Sequence, residues 1–313
     1  MRKLICVVGP TACGKTKMGV LLARRYDGEV VSCDSMQIYR GMRIGTAAPT
    51  EEEMEGVPHH MVGVVDPGED YSVARYASEA GACVDDILRR GRTPVVVGGT
   101  GLYLDALLSG RVFAAGHSGG EVRRALEARL AESGGEALLE ELRAVDPESA
   151  ARLHVADHKR IVRALEVYRE TGKTITQHNA ESRAVPPRYE AVKLGFAFED
   201  RQVMREAIDR RVDEMVSHGL FDEVESLLRA GVPRDATAMQ AIGYKECLAY
   251  FDGRITRAEA AEEIQLRSRQ YAKRQLTWLR RDSSIHWYYW KETRDFRAAL
   301  AFSTEKLADC GVS

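Results

Sequence analysis

The segment Gly9-Pro10-Thr11-Ala12-Cys13-Gly14-Lys15-Thr16 constrains this chain more than any other. It has the spacing G-x-x-x-x-G-K-[ST] and follows the apolar run Leu4–Val8. A buried strand, such a loop and then a helix make a phosphate cradle, because loop N–H groups and the helix N-terminus face the anion. Lys15 would neutralise phosphate charge, and the Thr16 hydroxyl would hold Mg²⁺. The motif requires a di- or triphosphate ligand and leaves its identity open.

The rest of the first third fits that beginning. Residues 29–33, 60–65 and 94–97 read as further strands, rich in β-branched residues and without alternation. This predicts a parallel sheet covered on both faces, with helical crossovers at 15–26 and 72–90. From about residue 121 to 171 the chain is charged and helix-periodic, with breaks at Gly134-Gly135 and Asp146-Pro147. A strand returns over 189–198, and the remainder reads mostly as helix. The capping box Thr256-Arg257-Ala258-Glu259 opens a long helix running to about Arg281. The expected fold class is α/β: a P-loop-containing parallel sheet flanked by helices, with a mostly helical insertion and a helical C-terminal region. The expected domains are a catalytic core begun by 1–115, an insertion at 116–184, and core completion with C-terminal helices at 185–313.

A net charge of −2 gives no global attraction to nucleic acid, so any RNA site must be a local basic patch. Six cysteines lie scattered with no C-x-x-C pair, which argues against structural zinc and disulfides and fits a reducing cytoplasm. No apolar run is long enough for a bilayer, and the first strand begins too early for a signal peptide to be expected.

Several residues can carry chemistry. Asp34 follows the second strand directly, at the edge where parallel sheets bind ligands. It reads as a general base, as a carboxylate near magnesium, or as a helix-type cap, which Asp-Ser supplies well. Gly98-Gly99-Thr100-Gly101 ends another strand at the same edge. A phosphate hydrolase usually carries a metal-binding Asp there, so its absence weakens an ATPase or GTPase reading. The glycines allow close approach to a ligand and Thr100 offers a hydroxyl, although a plain tight turn has the same composition. His59-His60 would point to opposite faces of a strand, which favours a structural role over metal binding. Arg211 flanks the apolar face Ile208-Val212-Met215 and is either a phosphate ligand or a solvated arginine. Arg267, Arg274 and Arg281 recur every seven residues in a stretch without acids, interleaved by Tyr271 and Trp278. That face suits RNA or is simply a solvated helix over two core aromatics.

Taken together, the chain resembles the bacterial tRNA dimethylallyltransferase (tRNA isopentenyltransferase) family almost end to end. The resemblance rests on the P-loop, Asp34-Ser35-Met36-Gln37-Ile38-Tyr39-Arg40, Gly45-Thr46-Ala47, Pro58-His59-His60 and Gly98-Gly99-Thr100-Gly101-Leu102-Tyr103. It continues in Arg160-Ile161-Val162-Arg163-Ala164-Leu165-Glu166-Val167, Ala241-Ile242-Gly243-Tyr244-Lys245-Glu246 and Tyr271-Ala272-Lys273-Arg274-Gln275-Leu276-Thr277-Trp278. It implies transfer of a dimethylallyl group from dimethylallyl diphosphate to N6 of the adenosine just 3′ of the anticodon (position 37), with release of diphosphate. On that resemblance the P-loop holds the donor's diphosphate with Mg²⁺, Asp34 takes the N6 proton, Thr100 lies at the reacting centre, and Arg211 meets the diphosphate. The resemblance also implies tRNA contacts at Asp34, Ser35, Met36, Gln37, Thr100, Arg123, Lys159, Arg160, Ile161, Val162, Arg163, Gln240, Ala241, Ile242, Gly243, Tyr244 and Lys245. The partner would be the anticodon stem-loop, met by a cytoplasmic monomer with no membrane contact. Rival readings are a prenyltransferase of free adenine nucleotides, a small-molecule kinase and a non-catalytic RNA-binding switch. The insertion and the basic helix weigh against the first, since a mononucleotide needs neither. Cys13 stands where Ser is commoner, and Ala207 where a basic residue is expected.

Overall fold

The computed structural model describes residues 3–109 and 120–312. They divide into two compact units, Met1–Leu108 with Tyr189–Ser313, and Ser109–Arg188. The larger unit begins β1 (Leu4–Val8), α1 (Lys15–Arg25), β2 (Gly28–Cys33), α2 (Glu51–Met54), β3 (His59–His60), α3 (Val73–Arg89), β4 (Thr93–Gly98) and α4 (Gly101–Leu108). The smaller unit holds α5 (Glu121–Val145), α6 (Pro147–Arg152), α7 (His158–Thr171) and α8 (Ile175–Ala184). The larger resumes with β5 (Ala191–Phe198), α9 (Arg201–Ser217), α10 (Leu220–Arg229), α11 (Tyr244–Phe251), α12 (Arg257–Leu279), β6 (Ile285–Trp290) and α13 (Phe296–Asp309).

The six strands form one sheet in the order β3-β2-β4-β1-β5-β6, and every pairing is parallel. Alternation along β1 shows why both faces need cover. Ile5 and Val7 lie in one buried cluster with Met18, Leu22, Ile208 and Leu307. Leu4, Cys6 and Val8 lie in another with Tyr76, Val84, Ile87 and Leu107. Each large side chain so buried contributes about 1.5–3 kcal/mol, and helices on one face alone would leave half of that unrealised. A third cluster joins Ile38, Tyr39 and Met42 to α9–α12, and a fourth fills the smaller unit around Leu126, Leu142, Ile161 and Leu165.

The insertion breaks where its sequence indicates. Gly134 takes a non-helical φ of 76° within α5, and Asp146 caps α6 with Pro147 in the first turn. The capping box at Thr256 forms in both directions, with bonds of 3.2 Å and 2.7 Å.

Two strand expectations need correction. The run over 60–65 is not a strand: pairing stops at His60 because Met61 and Gly63 both turn into positive φ. Met61 and Val65 are still buried, so their apolar character serves the core. In addition, β6 extends the sheet at one edge, from the aromatic run Ile285-His286-Trp287-Tyr288-Tyr289-Trp290 inside a region read as mostly helix.

At the N-terminal end of β2, the Glu29 side chain is 3% exposed and bonded to Arg90 Nη2 at 2.8 Å, Arg92 Nη1 at 2.7 Å and His60 Nε2 at 2.7 Å. The Arg90 hydrogen bond above all, then those from His60 and Arg92, hold its carboxyl down at about 2 against the penalty of burial. A carboxyl depressed on folding stabilises above its unfolded value and loses that contribution as pH falls towards the folded one. Glu29→Gln is therefore expected to lose about 3 kcal/mol of stability at neutral pH. Urea titrations should show the gap to the parent narrowing between pH 4.5 and about 2.

Candidate active site

Register places the site. Val8, Cys33 and Gly98 lie side by side at the carboxyl ends of β1, β2 and β4. The next residues out are the P-loop, Asp34 and Gly99-Thr100, so three motifs separated in sequence meet at one sheet edge. At Gly9 a Cβ would lie 2.2 Å from the Phe196 carbonyl oxygen, and at Gly98 it would lie 2.0 Å from that of Cys33. Only glycine lets these backbones approach.

The P-loop is held largely by side chains from the far end of the chain. Gln275 Oε1 accepts from Thr11 N at 2.8 Å, Trp290 Nε1 donates to the Cys13 carbonyl at 2.9 Å, and Arg294 donates to the Ala12 carbonyl. These bonds fix Ala12 in a left-handed conformation at φ 60°, which costs a non-glycine residue of order 1–2 kcal/mol. Lys15 Nζ folds back onto the Pro10 carbonyl at 2.6 Å, and Thr16 makes no side-chain hydrogen bond among the described residues. Thr16 thus fits a Mg²⁺ carried in on a ligand's phosphates, since magnesium keeps several waters and needs few protein oxygens.

Electrostatics mark the same spot. Burial lowers the Lys15 ammonium, with Cys13 and Asp34 opposing and Arg211 adding to the effect. Burial likewise lowers the Arg211 guanidinium, with Asp34 the strongest opposing charge and Arg294 a further cation nearby. Lys15, Arg211 and Asp34 therefore share one desolvated neighbourhood, and neither cation is in an ion pair among the described residues. Such a site is short of negative charge and suits an anion.

Asp34 uses one oxygen to cap a turn, not a helix, since no helix begins after it: Oδ1 accepts from Met36 N at 2.9 Å and Gln37 N at 3.4 Å. Nothing described bonds its Oδ2, so this turn leaves the base role open. Thr100 Oγ1 accepts from Ser35 N at 3.3 Å, and the Tyr271 hydroxyl shares this neighbourhood with Thr100 and Asp34. Burial, then the Asp34 charge, push the Tyr271 hydroxyl up to about 12, so it remains a proton donor. Gln37 is engaged within the protein, its Nε2 donating to the Thr46 and Ala47 carbonyls at 3.3 Å and 3.1 Å and its Oε1 accepting from Ser32. That loop is fixed by Glu223, which accepts from the amides of Arg43, Ile44 and Gly45 at 2.7–3.0 Å.

The remaining candidates fall into three groups. In 240–245, Gln240 and Lys245 are exposed and Ile242 is half-buried, whereas Ala241, Gly243 and Tyr244 are buried. On α12, Arg274 lies 5.7 Å from the Tyr271 ring, and in the turn just past the helix Arg281 lies 5.6 Å from the Trp278 ring, but Arg267 is paired with Glu263 at 2.6 Å, one turn before the stretch without acids. Trp278 is 38% exposed and donates to Asp105 at 3.0 Å, so it is not a core aromatic. In the smaller unit, Ile161 and Val162 lie in the core, which leaves their side chains no surface. Lys159 and Arg160 are exposed, and the buried Glu166 carboxylate binds both Arg123 and Arg163. His59 bonds the Val57 carbonyl and His60 bonds Glu29, as structural histidines do. Ala207 packs into the core of the larger unit. Sequence reading missed Gln275, Trp290, Arg294 and Glu223 as parts of the site, because each acts on backbone far away in the chain.

A P-loop at the carboxyl edge of a parallel sheet, with two desolvated cations beside a carboxylate, defines an α/β protein of the P-loop class with a site suited to an anion. The comparisons make this specific. The IPP transferase family model matches residues 37–282 and the isopentenyl transferase model residues 2–62. The tRNA dimethylallyltransferase of Geobacillus thermodenitrificans is 48% identical over 287 residues, covering 91% of this chain and 90% of that protein. A tRNA dimethylallyltransferase 2 of Geotalea uraniireducens is 48% identical over 292 residues, covering 93% of each. The crystal structure of a tRNA isopentenylpyrophosphate transferase from Bacillus halodurans matches at TM-score 0.72 and 41% identity, over 99% of this chain and 98% of that one. A eukaryotic dimethylallyltransferase described as acting on tRNA matches at TM-score 0.83 and 28% identity, over 99% of this chain and 80% of that one. The chain belongs to the IPP transferase family and is a prenyl-transferring enzyme.

If Lys15 and Arg211 form the anion site, Lys15→Met and Arg211→Met should each weaken binding of inorganic diphosphate by about 10–100-fold, the worth of one charge-assisted hydrogen bond. Calorimetry with unaltered affinity in both variants would remove the P-loop as the anion site.

Proposed function

We propose that this enzyme transfers a dimethylallyl group from dimethylallyl diphosphate to N6 of the adenosine just 3′ of the anticodon (position 37) of cytoplasmic tRNA. The observation that carries the reading is the meeting of Lys15, Arg211, Asp34 and Thr100 at one sheet edge, in a chain of this family.

The exocyclic amine attacks the donor's C1 as the C1–O bond breaks and diphosphate leaves. Its lone pair is delocalised into the ring, so it is a weak nucleophile. Asp34 Oδ2 takes the N6 proton as the bond forms, an effect worth about 10²–10⁴-fold. The Thr100 hydroxyl, held by Ser35 N, orients the amine. Charge gathers on the leaving oxygens, where Lys15, Arg211 and the loop amides stabilise it. Lys15 leaves the Pro10 carbonyl to do so. Thr16 would hold Mg²⁺, which when bound would supply further charge neutralisation. Strand β4 ends in Gly98 and then Gly99, with no carboxylate to activate water, which suits transfer to an amine over hydrolysis.

N6 sits on the pairing edge of adenine and is hidden in a duplex, so the enzyme takes an unpaired loop base. Arg274, Arg281, Gln240 and Lys245 are offered to the anticodon loop, and Lys159, Arg160, Arg163 and Arg123 to stem phosphates.

An isolated anticodon stem-loop is expected to gain one dimethylallyl group by mass spectrometry, and pairing the target adenosine into the stem to abolish the gain. Asp34→Asn should lower kcat by about 10²-fold or more with RNA affinity within a few-fold. Equal transfer to paired and unpaired adenosine, or wild-type turnover by Asp34→Asn, would overturn the reading. Free AMP modified at comparable kcat/KM would favour the mononucleotide alternative.

Pairing on α12 gives a graded salt prediction. Arg274→Ala and Arg281→Ala should each flatten the log–log salt dependence of stem-loop binding by roughly one unit. Arg267→Ala should flatten it less, because Glu263 already neutralises that guanidinium. Slopes unchanged from the parent in all three variants would take this face off the RNA.

A further inference from the structure

We infer that Gln275 is a positioning residue that sets the distance between the donor loop and the acceptor turn; the inference rests on the reaction proposed above. Gln275 lies on α12, is 5% exposed, and uses both ends of its amide. Oε1 accepts from Thr11 N in the P-loop at 2.8 Å, and Nε2 donates to the carbonyl of Gly99, beside Thr100, at 3.0 Å. One planar group thus bridges the loop that would hold the leaving diphosphate and the turn that would hold the attacking amine.

The bridge has no slack. A Cβ on Gly99 would lie 2.2 Å from Gln275 Nε2 and 2.9 Å from the Gly9 carbonyl oxygen. On the helix side, Ala272 is fully buried and Leu279 is 3% exposed, so α12 cannot shift to compensate. Tyr271, one turn earlier, faces the same acceptor turn, and Gln275 is the residue of this helix that both holds that turn and crosses to the donor side. The Thr11 amide is thereby withheld from phosphate, and its role is to be anchored. No other side chain makes two such backbone bonds to a hetero-element pair at this edge among the described residues. A substitution therefore frees two backbone groups and releases the spacing of the reacting atoms, where a displacement near 1 Å can cost about 10²-fold in rate.

The test compares full-length Gln275→Met and Gly99→Ala, which loosen and wedge the bridge respectively, with the parent. Transfer to the anticodon stem-loop, stem-loop Kd by anisotropy, diphosphate affinity by calorimetry and thermal melting are measured for each. The expected result is kcat lower by about 10²-fold, stem-loop Kd within twofold, and weaker diphosphate binding for Gln275→Met in a folded protein. A kcat within threefold of the parent, or RNA affinity falling in step with kcat, would overturn the assignment. So would a loss explained wholly by unfolded protein. Should Gln275→Met fail to fold, Gly99→Ala carries the same comparison. The parent is the control for the reaction itself: if it does not modify the stem-loop, the proposed function fails, whereas unchanged diphosphate affinity in Gln275→Met refutes the bridge alone.

Discussion

Two half-buried, desolvated cations without a bound counter-charge govern this site. Lys15 and Arg211 are both lowered by desolvation, each repels the other, and the one carboxylate near both, Asp34, bonds neither. In a site of low dielectric that imbalance is much stronger than it would be in water. On the proposed reaction, an arriving diphosphate would remove that imbalance. The charge would be in place before the donor's C–O bond breaks, so little reorganisation would be needed as negative charge develops.

Rigidity on the acceptor side comes through a relay of ordinary hydrogen bonds. Glu223 of α10 gathers three consecutive amides of the loop at residues 43–45. Two residues on, that loop presents the carbonyls that hold Gln37, and Gln37 follows the Asp34 cap. Asp34 is thus aimed by a carboxylate nearly 190 positions later in the chain, which itself does not reach the site.

What could be read from the sequence divides along the same line. The P-loop, Asp34 after β2 and Thr100 after β4 were legible because each is a local pattern whose place follows from strand direction. The cover on both faces of the sheet was legible from unbroken β-branched runs. The short β3 was overread, because Met61 and Val65 are apolar for the core while positive φ at Met61 and Gly63 ends the pairing. Strand β6 was missed since an aromatic run inside a helical region carries no period. Gln275, Trp290, Arg294 and Glu223 left no mark, because a side chain that bonds distant backbone has no local signature. The basic stripe was legible as charge, but the Glu263 partner of Arg267 lies just outside it.

The separation of those partners has a consequence for biosynthesis. The P-loop leaves the ribosome well before its anchors, which lie 264, 277 and 282 positions further on. Its central strand β1 also waits for β4 on one side and β5 on the other. Chains emerge N-terminus first at about 5–20 residues per second, so the loop stays unformed for most of translation. A chain stopped short of those anchors lacks the contacts that shape the loop, so the loop's conformation depends on segments made long after it.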